Sequence, residues 1–278
     1  MRRLFYLIVA PVLVLSALPA RAAYPTPTGP GWTVLCGYHH RLPDDPIVYP
    51  DQPGASHLHD FFGSHDTDAF STPDGLVHSS GTSCAAPADR SGYWFPSLMI
   101  GDQPVDPASV SIYYRGPDWG YDPTQVQATP AGLEMIAGNA RATGPQPKTI
   151  TYWQCGPGSR IPKKSTPYDC SAYPGTYVRA NLTFPSCWDG ANLDSADHKS
   201  HMAYPVPKGS NVCPSDHPVM VARLTAVVTY PVVDGSQATL SSGLGWTFHG
   251  DFMNGWDQPS LVSLVQNCIN ANVYCRPA

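Results

Sequence analysis

Along most of this chain, apolar residues come in short runs broken by Pro, Gly and Asp. "GWTVLCGY" (31–38), "GYWFPSLMI" (92–100), "SVSIYYR" (109–115), "TITYWQC" (149–155) and "YVRANLTFPSCW" (177–188) are rich in β-branched and aromatic residues. Such residues fit a pleated, half-buried surface, so each run predicts a strand. "VARLTAVVTYPVV" (221–233) carries the longest strand signal, "SHLHDFFG" (56–63) reads as a strand edge, and "AGLEMIAG" (131–138) is ambiguous. One stretch has the helical period. In "SLVSLVQNCI" (260–269), Leu261, Leu264, Val265 and Cys268 fall at i, i+3, i+4 and i+7, with Ser260 placed to cap. No repeat and no long linker interrupts the pattern. The expectation is a mainly β chain: a single-domain β-sandwich or jelly roll with long loops and few short helices.

The first residues depart from this pattern. A basic start, the apolar run "LFYLIVAPVLVLSALP" and the small-residue end "ARA" predict a secretory signal over residues 1–22. Pro11 and Pro19 interrupt the run, which weakens it as a membrane span of about 20 apolar residues. A Pro/Gly-rich lead and first strand would then occupy 23–53, and the secreted domain 54–278. The protein is expected outside the cell, with no membrane span once the signal is gone.

Composition narrows the chemistry. Pro makes up 31 of 278 residues, about twice the usual share, which disfavours long helices. Loss of Arg2, Arg3 and Arg21 with the signal takes the formal charge from −5 to −8. No basic run offsets this, so a nucleic-acid partner is not expected. Glu134 is the sole Glu, so paired-carboxylate chemistry would draw on Asp. The eight Cys contain no C-x-x-C, and in an oxidising compartment they predict disulfides. Spacing does not settle the connectivity; pairing neighbours would give 36–84, 155–170, 187–213 and 268–275.

Four stretches concentrate ionisable and aromatic residues. In "SHLHDFFG", strand geometry would put His57 and His59 on one face. The segment 186–205, "SCWDGANLDSADHKSHMAYP", holds Trp188, Asp189, Asp194, Asp197, His198, His201 and Tyr204; on a helical turn His198 and His201 would face together. "FHGDFMNGWD" (248–257) adds His249, Asp251, Asn254 and Trp256, and "SGYWFPSL" (91–98) adds Tyr93 and Trp94. Any one of these reads first as a residue that satisfies loop backbone or fills the core. Four such loops together read as one assembled site.

The candidate catalytic residues are His57, His59, Asp189, His198, His201, Tyr204, His249 and Asp251. The candidate substrate-binding residues are Tyr93, Trp94, Trp188, Asn254 and Trp256, whose aromatic members could stack on sugar rings. His and Asp suit glycan hydrolysis or elimination, and no G-x-S-x-G marks a Ser nucleophile. The first expectation is therefore an enzyme acting on an extracellular or cell-wall glycan. The alternatives are a non-catalytic glycan-binding module and an exported metal-binding protein. The sequence demands no cofactor, although a divalent metal fits the His/Asp set.

"NLTFPSCWDGANLDSADHKSHMAYP", "CPSDHPV" and "FHGDFMNGWD" resemble the signature segments of a secreted family of fungi and actinobacteria, catalogued as domain of unknown function nineteen ninety-six. "SHLHDFFG" and "GTSC…GYWFPSL" resemble its N-terminal signatures, and the likeness runs over about residues 54–270. The resemblance implies a secreted single domain and marks the same loops, adding Cys84, Cys187, Asp194, Cys213 and His217 to the positions worth naming. It implies no activity.

Overall fold

The computed structural model describes residues 29–116, 122–205 and 212–277. The expected signal over 1–22 lies outside them. Fifteen strands follow in chain order: β1 (Gly31–Leu42), β2 (His59–Gly63), β3 (Gly92–Pro96), β4 (Leu98–Ile100), β5 (Gln103–Val105), β6 (Ser109–Arg115), β7 (Glu134–Gly138), β8 (Thr151–Cys155), β9 (Val178–Thr183), β10 (Cys187–Trp188), β11 (Met202–Ala203), β12 (Val219–Met220), β13 (Arg223–Thr229), β14 (Ala238–Leu240) and β15 (His249–Met253). Two short α-helices, α1 (Pro73–Val77) and α2 (Gln258–Leu264), and 3-10 turns at Pro123–Gln125 and Gly245–Thr247 lie among the described residues. No helix among the described residues is long and apolar enough to cross a membrane.

The mainly β expectation holds. Nine strands form one antiparallel sheet in the order β7-β15-β3-β2-β1-β6-β13-β9-β8, with two three-stranded sheets beside it. The large sheet curls until β7 touches β9, so its inner face closes nearly into a barrel. Period-two alternation explains the curl's interior. Trp32, Val34 and Cys36 of β1 sit level with Tyr114, Ile112 and Val110 of β6, which sit level with Leu224, Ala226 and Val228 of β13. All nine are buried. Each large apolar side chain removed from water contributes about 1.5–3 kcal/mol.

The sequence blurred several boundaries. The run 92–100 is two strands that bend at Ser97, and 177–188 breaks into β9 and β10 around Phe184-Pro185-Ser186. The ambiguous 131–138 contains β7, an end strand of the main sheet. The helix at 260–269 starts earlier, at Gln258, because Asp257 caps it by accepting from Ser260 N at 3.1 Å. Pro259 fits the first turn, where its missing N–H costs nothing. The chain then continues through a π-turn, Val265–Asn270.

Four disulfides join Cys36–Cys84, Cys155–Cys170, Cys187–Cys213 and Cys268–Cys275, with no free thiol. Neighbour pairing was therefore right.

The half-sheet β7-β15-β3-β2 positions the candidate site. Inward it sends Met135, Phe62, Tyr93, Phe95 and Phe252 into the main core. Outward it sends His59, Phe61, Trp94, His249, Asp251 and Met253, and these are buried too. The segment 43–58 covers them, and Ile47, Phe61, Leu76, Trp94 and Met253 form a second small core there.

A buried polar chain runs through the main core. Trp256 Nε1 donates to Tyr114 Oη at 2.9 Å, the Tyr114 and Tyr93 hydroxyls lie 2.7 Å apart, and Tyr93 donates to Asp89 at 2.8 Å. Burial raises the Asp89 carboxyl to about 7, although the Tyr93 and Ser91 hydrogen bonds pull it down. Between its ordinary carboxylate value and about 7 the folded chain therefore binds a proton that the unfolded chain has lost. Its contribution to stability is full in acid and declines as pH rises through that window. Asp89→Asn keeps the acceptor and removes the titration. The difference in melting temperature between wild type and this variant is expected to turn against wild type between pH 4 and pH 8, measured by thermal unfolding across about that range.

Candidate functional site

Three imidazoles converge on the outer face of the half-sheet. His59 opens β2 and His249 opens β15, while His57 comes from the covering segment. The rings of His57 and His59 lie 4.3 Å apart, those of His57 and His249 5.0 Å, and those of His59 and His249 5.6 Å. One nitrogen from each lies within 4.8 Å of the others, and Asp45, His59 and Asp251 form a second such group.

Hydrogen bonds set the ring orientations. His59 Nδ1 donates to the Asp44 carbonyl at 2.9 Å, and His249 Nδ1 donates to the Thr247 carbonyl at 2.8 Å. A neutral ring with its proton on Nδ1 presents a lone pair at Nε2. The two Nε2 atoms face each other at 3.4 Å. Two lone pairs so placed repel unless a cation shares them. The spacing matches the edge of a tetrahedron of ligands about 2.0–2.1 Å from a zinc ion. His57 Nε2 is buried without a protein partner.

Burial also keeps these rings neutral. It lowers His57 to about 4 and His249 to about 3, and drives His59 well below the usual value. Mutual repulsion among the rings adds to the last two.

Asp251 is the clearest sign of a ligand. It is fully buried on β15, and neither carboxylate oxygen has a hydrogen-bond partner. Burial raises it well above a normal carboxylate, Asp45 raises it further, and Lys199 pulls it back. An unpartnered buried carboxyl costs several kcal/mol or stays protonated. A divalent cation would remove that cost.

The covering segment is built to hold still. Asp44 Oδ1 accepts from Gly54 N at 2.8 Å and Oδ2 from Ala69 N at 3.2 Å. Asp45 Oδ1 accepts from the amides of Ile47 and Val48. These bonds fix the Asp44 carbonyl for His59 and bring Asp45 to the cluster. Trp94, stacked on Phe61 at 5.8 Å, lies beneath it.

The remaining sequence candidates divide. His198 does not share a helical turn with His201. It sits at φ +57 in the left-handed region and pairs with Asp194 at 2.8 Å. This pair acts electrostatically on Glu134, which burial first and Asp194 second raise to about 7. His201 turns the other way: its Nε2 donates to the Glu134 carbonyl at 2.7 Å and its Nδ1 lies 2.9 Å from Ser195 Oγ. It anchors the loop to β7 and stays outside the three-imidazole cluster. Asp189 accepts from the amides of Ala191 and Asn192 and closes a turn. His217 Nε2 donates to the Ser200 carbonyl. Tyr204 donates to the Thr183 carbonyl at 2.8 Å.

The expected sugar platform does not form from Tyr93 and Trp256, which are fully buried in the main core. Asn254 is buried with its amide on the Thr129 and Pro130 carbonyls. Trp188 is half-buried and donates to Asn192 O. Sequence reading missed Asp44, Asp45 and Glu134 as contributors. "LPDDP" shows only as a turn, and the sole Glu gave no motif.

A family model described as Domain of unknown function (DUF1996) matches residues 45–256. No curated protein and no solved structure matches the chain.

His201→Ala tests the anchoring role. It is expected to lower stability by about 1–3 kcal/mol, the usual cost of stranding buried hydrogen-bond partners. Urea unfolding measures this, and an unchanged midpoint would refute it.

Proposed function

Since the chain belongs to the DUF1996 family, whose description names no activity, we propose a function from the site itself: an exported protein that holds one divalent transition-metal ion on the His57, His59 and His249 group, with Asp251, which groups with His59 and Asp45, as the carboxylate ligand. The observation that carries this is the facing pair of Nε2 atoms 3.4 Å apart, each ring locked by an Nδ1 hydrogen bond to a backbone carbonyl. That second layer of bonds is how proteins fix the tautomer and direction of metal-binding histidines. Three neutral nitrogens with one carboxylate suit zinc or a neighbouring divalent metal better than calcium or magnesium, which take mainly oxygen. Asp45 lies close enough to join or to accept from a metal-bound water. Bound metal would act there as a Lewis acid and lower the pKa of a water.

One observation favours a second reading, acid–base chemistry on an extracellular glycan. Glu134, held near 7 beside the Asp194–His198 pair, is protonated and deprotonated near neutrality, as a general acid or base must be. The four disulfides agree with an oxidising, extracellular location.

Metal analysis of the purified, oxidised chain after incubation with zinc is expected to give about one ion per chain. His249→Ala and Asp251→Asn should each lose it while all four disulfides remain. Zinc affinity should fall as pH drops, because the ring nitrogens and Asp251 must be deprotonated to bind. Substoichiometric zinc, with no effect of either variant, would refute the proposal.

A further inference from the structure

The other half of the nine-stranded sheet, β1-β6-β13-β9-β8, also has an outer face, and its chemistry is of the opposite kind. Val178, Ala180 and Leu182 of β9 point into the main core, so Arg179, Asn181 and Thr183 point out. On β8, Trp153 and Cys155 point in, and Tyr152 and Gln154 point out. Register sets Asn181 between Tyr152 and Val227, and Arg179 between Gln154 and Thr229.

Two donors there have nothing to bond. Asn181 is only 7% exposed, and its Nδ2 has no partner. Arg179 Nε, two residues away on the same face, is buried without one. A third donor comes from the loop after β8. Lys163 Nζ lies 4.1 Å from the centre of the Tyr152 ring, and Tyr152 is the neighbour of Asn181 across the strands. This loop is held in place. Gln154 Nε2 donates to the Ile161 carbonyl at 3.1 Å, and Lys164 exchanges backbone hydrogen bonds with Trp153 at 2.8 and 2.9 Å. The Cys155–Cys170 disulfide closes its base.

No carboxylate neutralises these groups. The strands β8, β9 and β13 contain no Asp or Glu. The run 135–168 contains none either, yet it holds Arg141, Lys148, Arg160, Lys163 and Lys164. Neither these five nor Arg179 form an ion pair among the described residues, in a chain whose formal net charge is −5. Asp169, the next carboxylate along the chain, accepts from the amide and hydroxyl of Ser171. A buried amide and a buried guanidinium nitrogen without acceptors call for a ligand, as a buried carboxylate without donors does. Arg179, Lys163 and the Asn181 amide nitrogen offer donors, so the ligand must bring acceptors, and two of the three carry positive charge.

We infer that Arg179, Asn181 and Lys163 form a binding site for an oxyanion group, a carboxylate, sulfate or phosphate, on the outer face of β8 and β9. The planar guanidinium fork of Arg179 matches two oxygens of such a group. Arg160 and Lys164, on the same loop as Lys163, extend the positive field beyond a single ion. The site stands apart from the three imidazoles and does not rest on the metal reading.

The test is nitrogen-15 NMR of the full oxidised chain without added metal. Sodium sulfate replaces sodium chloride at constant ionic strength, so general screening stays fixed. The Arg179 Nε–H and the Asn181 side-chain amide should shift saturably. Arg179→Met should weaken sulfate at least about tenfold, the loss expected for charge-assisted hydrogen bonds. Arg141→Met, outside the site, should leave the affinity unchanged. Should Arg179→Met not fold, Arg179→Lys serves in its place: it keeps the charge, loses the fork and should also weaken binding. Polygalacturonate and galacturonate then separate the sources. Tighter binding of the polymer assigns an acidic polysaccharide, and equal binding assigns a small free anion; either sustains the site. Shifts that rise linearly without saturating, or equal weakening by Arg141→Met and the Arg179 variant, would overturn the inference.

Discussion

The strand period of two, imposed on β2, β3 and β15, is the constraint on which the rest of this structure depends. Each strand sends every second residue inward, and Phe62, Tyr93, Phe95 and Phe252 close the main core. The alternate positions must point outward, and in most antiparallel sheets they would meet water. Here the segment 43–58 covers them, so His59, His249 and Asp251 are buried by the same geometry that buries the aromatics. A one-residue slip of either strand would exchange the two sets and place imidazole and carboxylate in the barrel-like core. Register therefore protects the core and assembles the cluster at once.

Burying this set is costly, and the fold shows how the cost is limited. Asp44, Asp45 and the Thr247 carbonyl satisfy the backbone and one nitrogen each of His59 and His249. Within the cluster, what stays unsatisfied is His57 Nε2, the facing Nε2 pair and both oxygens of Asp251, with Trp94 Nε1 beneath them. Unsatisfied buried groups scattered through a protein are defects; the same groups gathered about one point describe a ligand. The disulfides and the large apolar core supply stability that this local cost draws down.

Legibility in the sequence followed the range of the forces. The strands of the main sheet were readable because alternation is local, as in Trp32, Val34 and Cys36. Pairing of His57 with His59 was readable for the same reason, although His57 precedes the strand proper. Convergence of the first and third stretches was inferred from their chemistry, and His59 and His249 do meet. The helical reading of His198 and His201 failed because no helix forms there; a left-handed residue at 198 turns the two rings apart. Tyr93 and Trp256 looked like a binding surface because a sequence does not show which aromatics a curled sheet encloses. The partners of His59 and His249 are main-chain carbonyls, which have no residue signature.

Charge ties these parts together. Burial disfavours the charged form of the imidazoles and raises Asp251 well above a normal carboxylate. Burial thus works against charge throughout the cluster, and Lys199 is the cation that interacts with Asp251. A divalent ion bound there would offset the cost of a charged Asp251, as Lys199 already does in part. Glu134, at the other end of β7 from Gly138, interacts electrostatically with Asp45 and with the Asp194–His198 pair. The sheet places these three elements side by side: the imidazoles and Asp251 at the centre, Lys199 toward one end of β7 and Glu134 at the other.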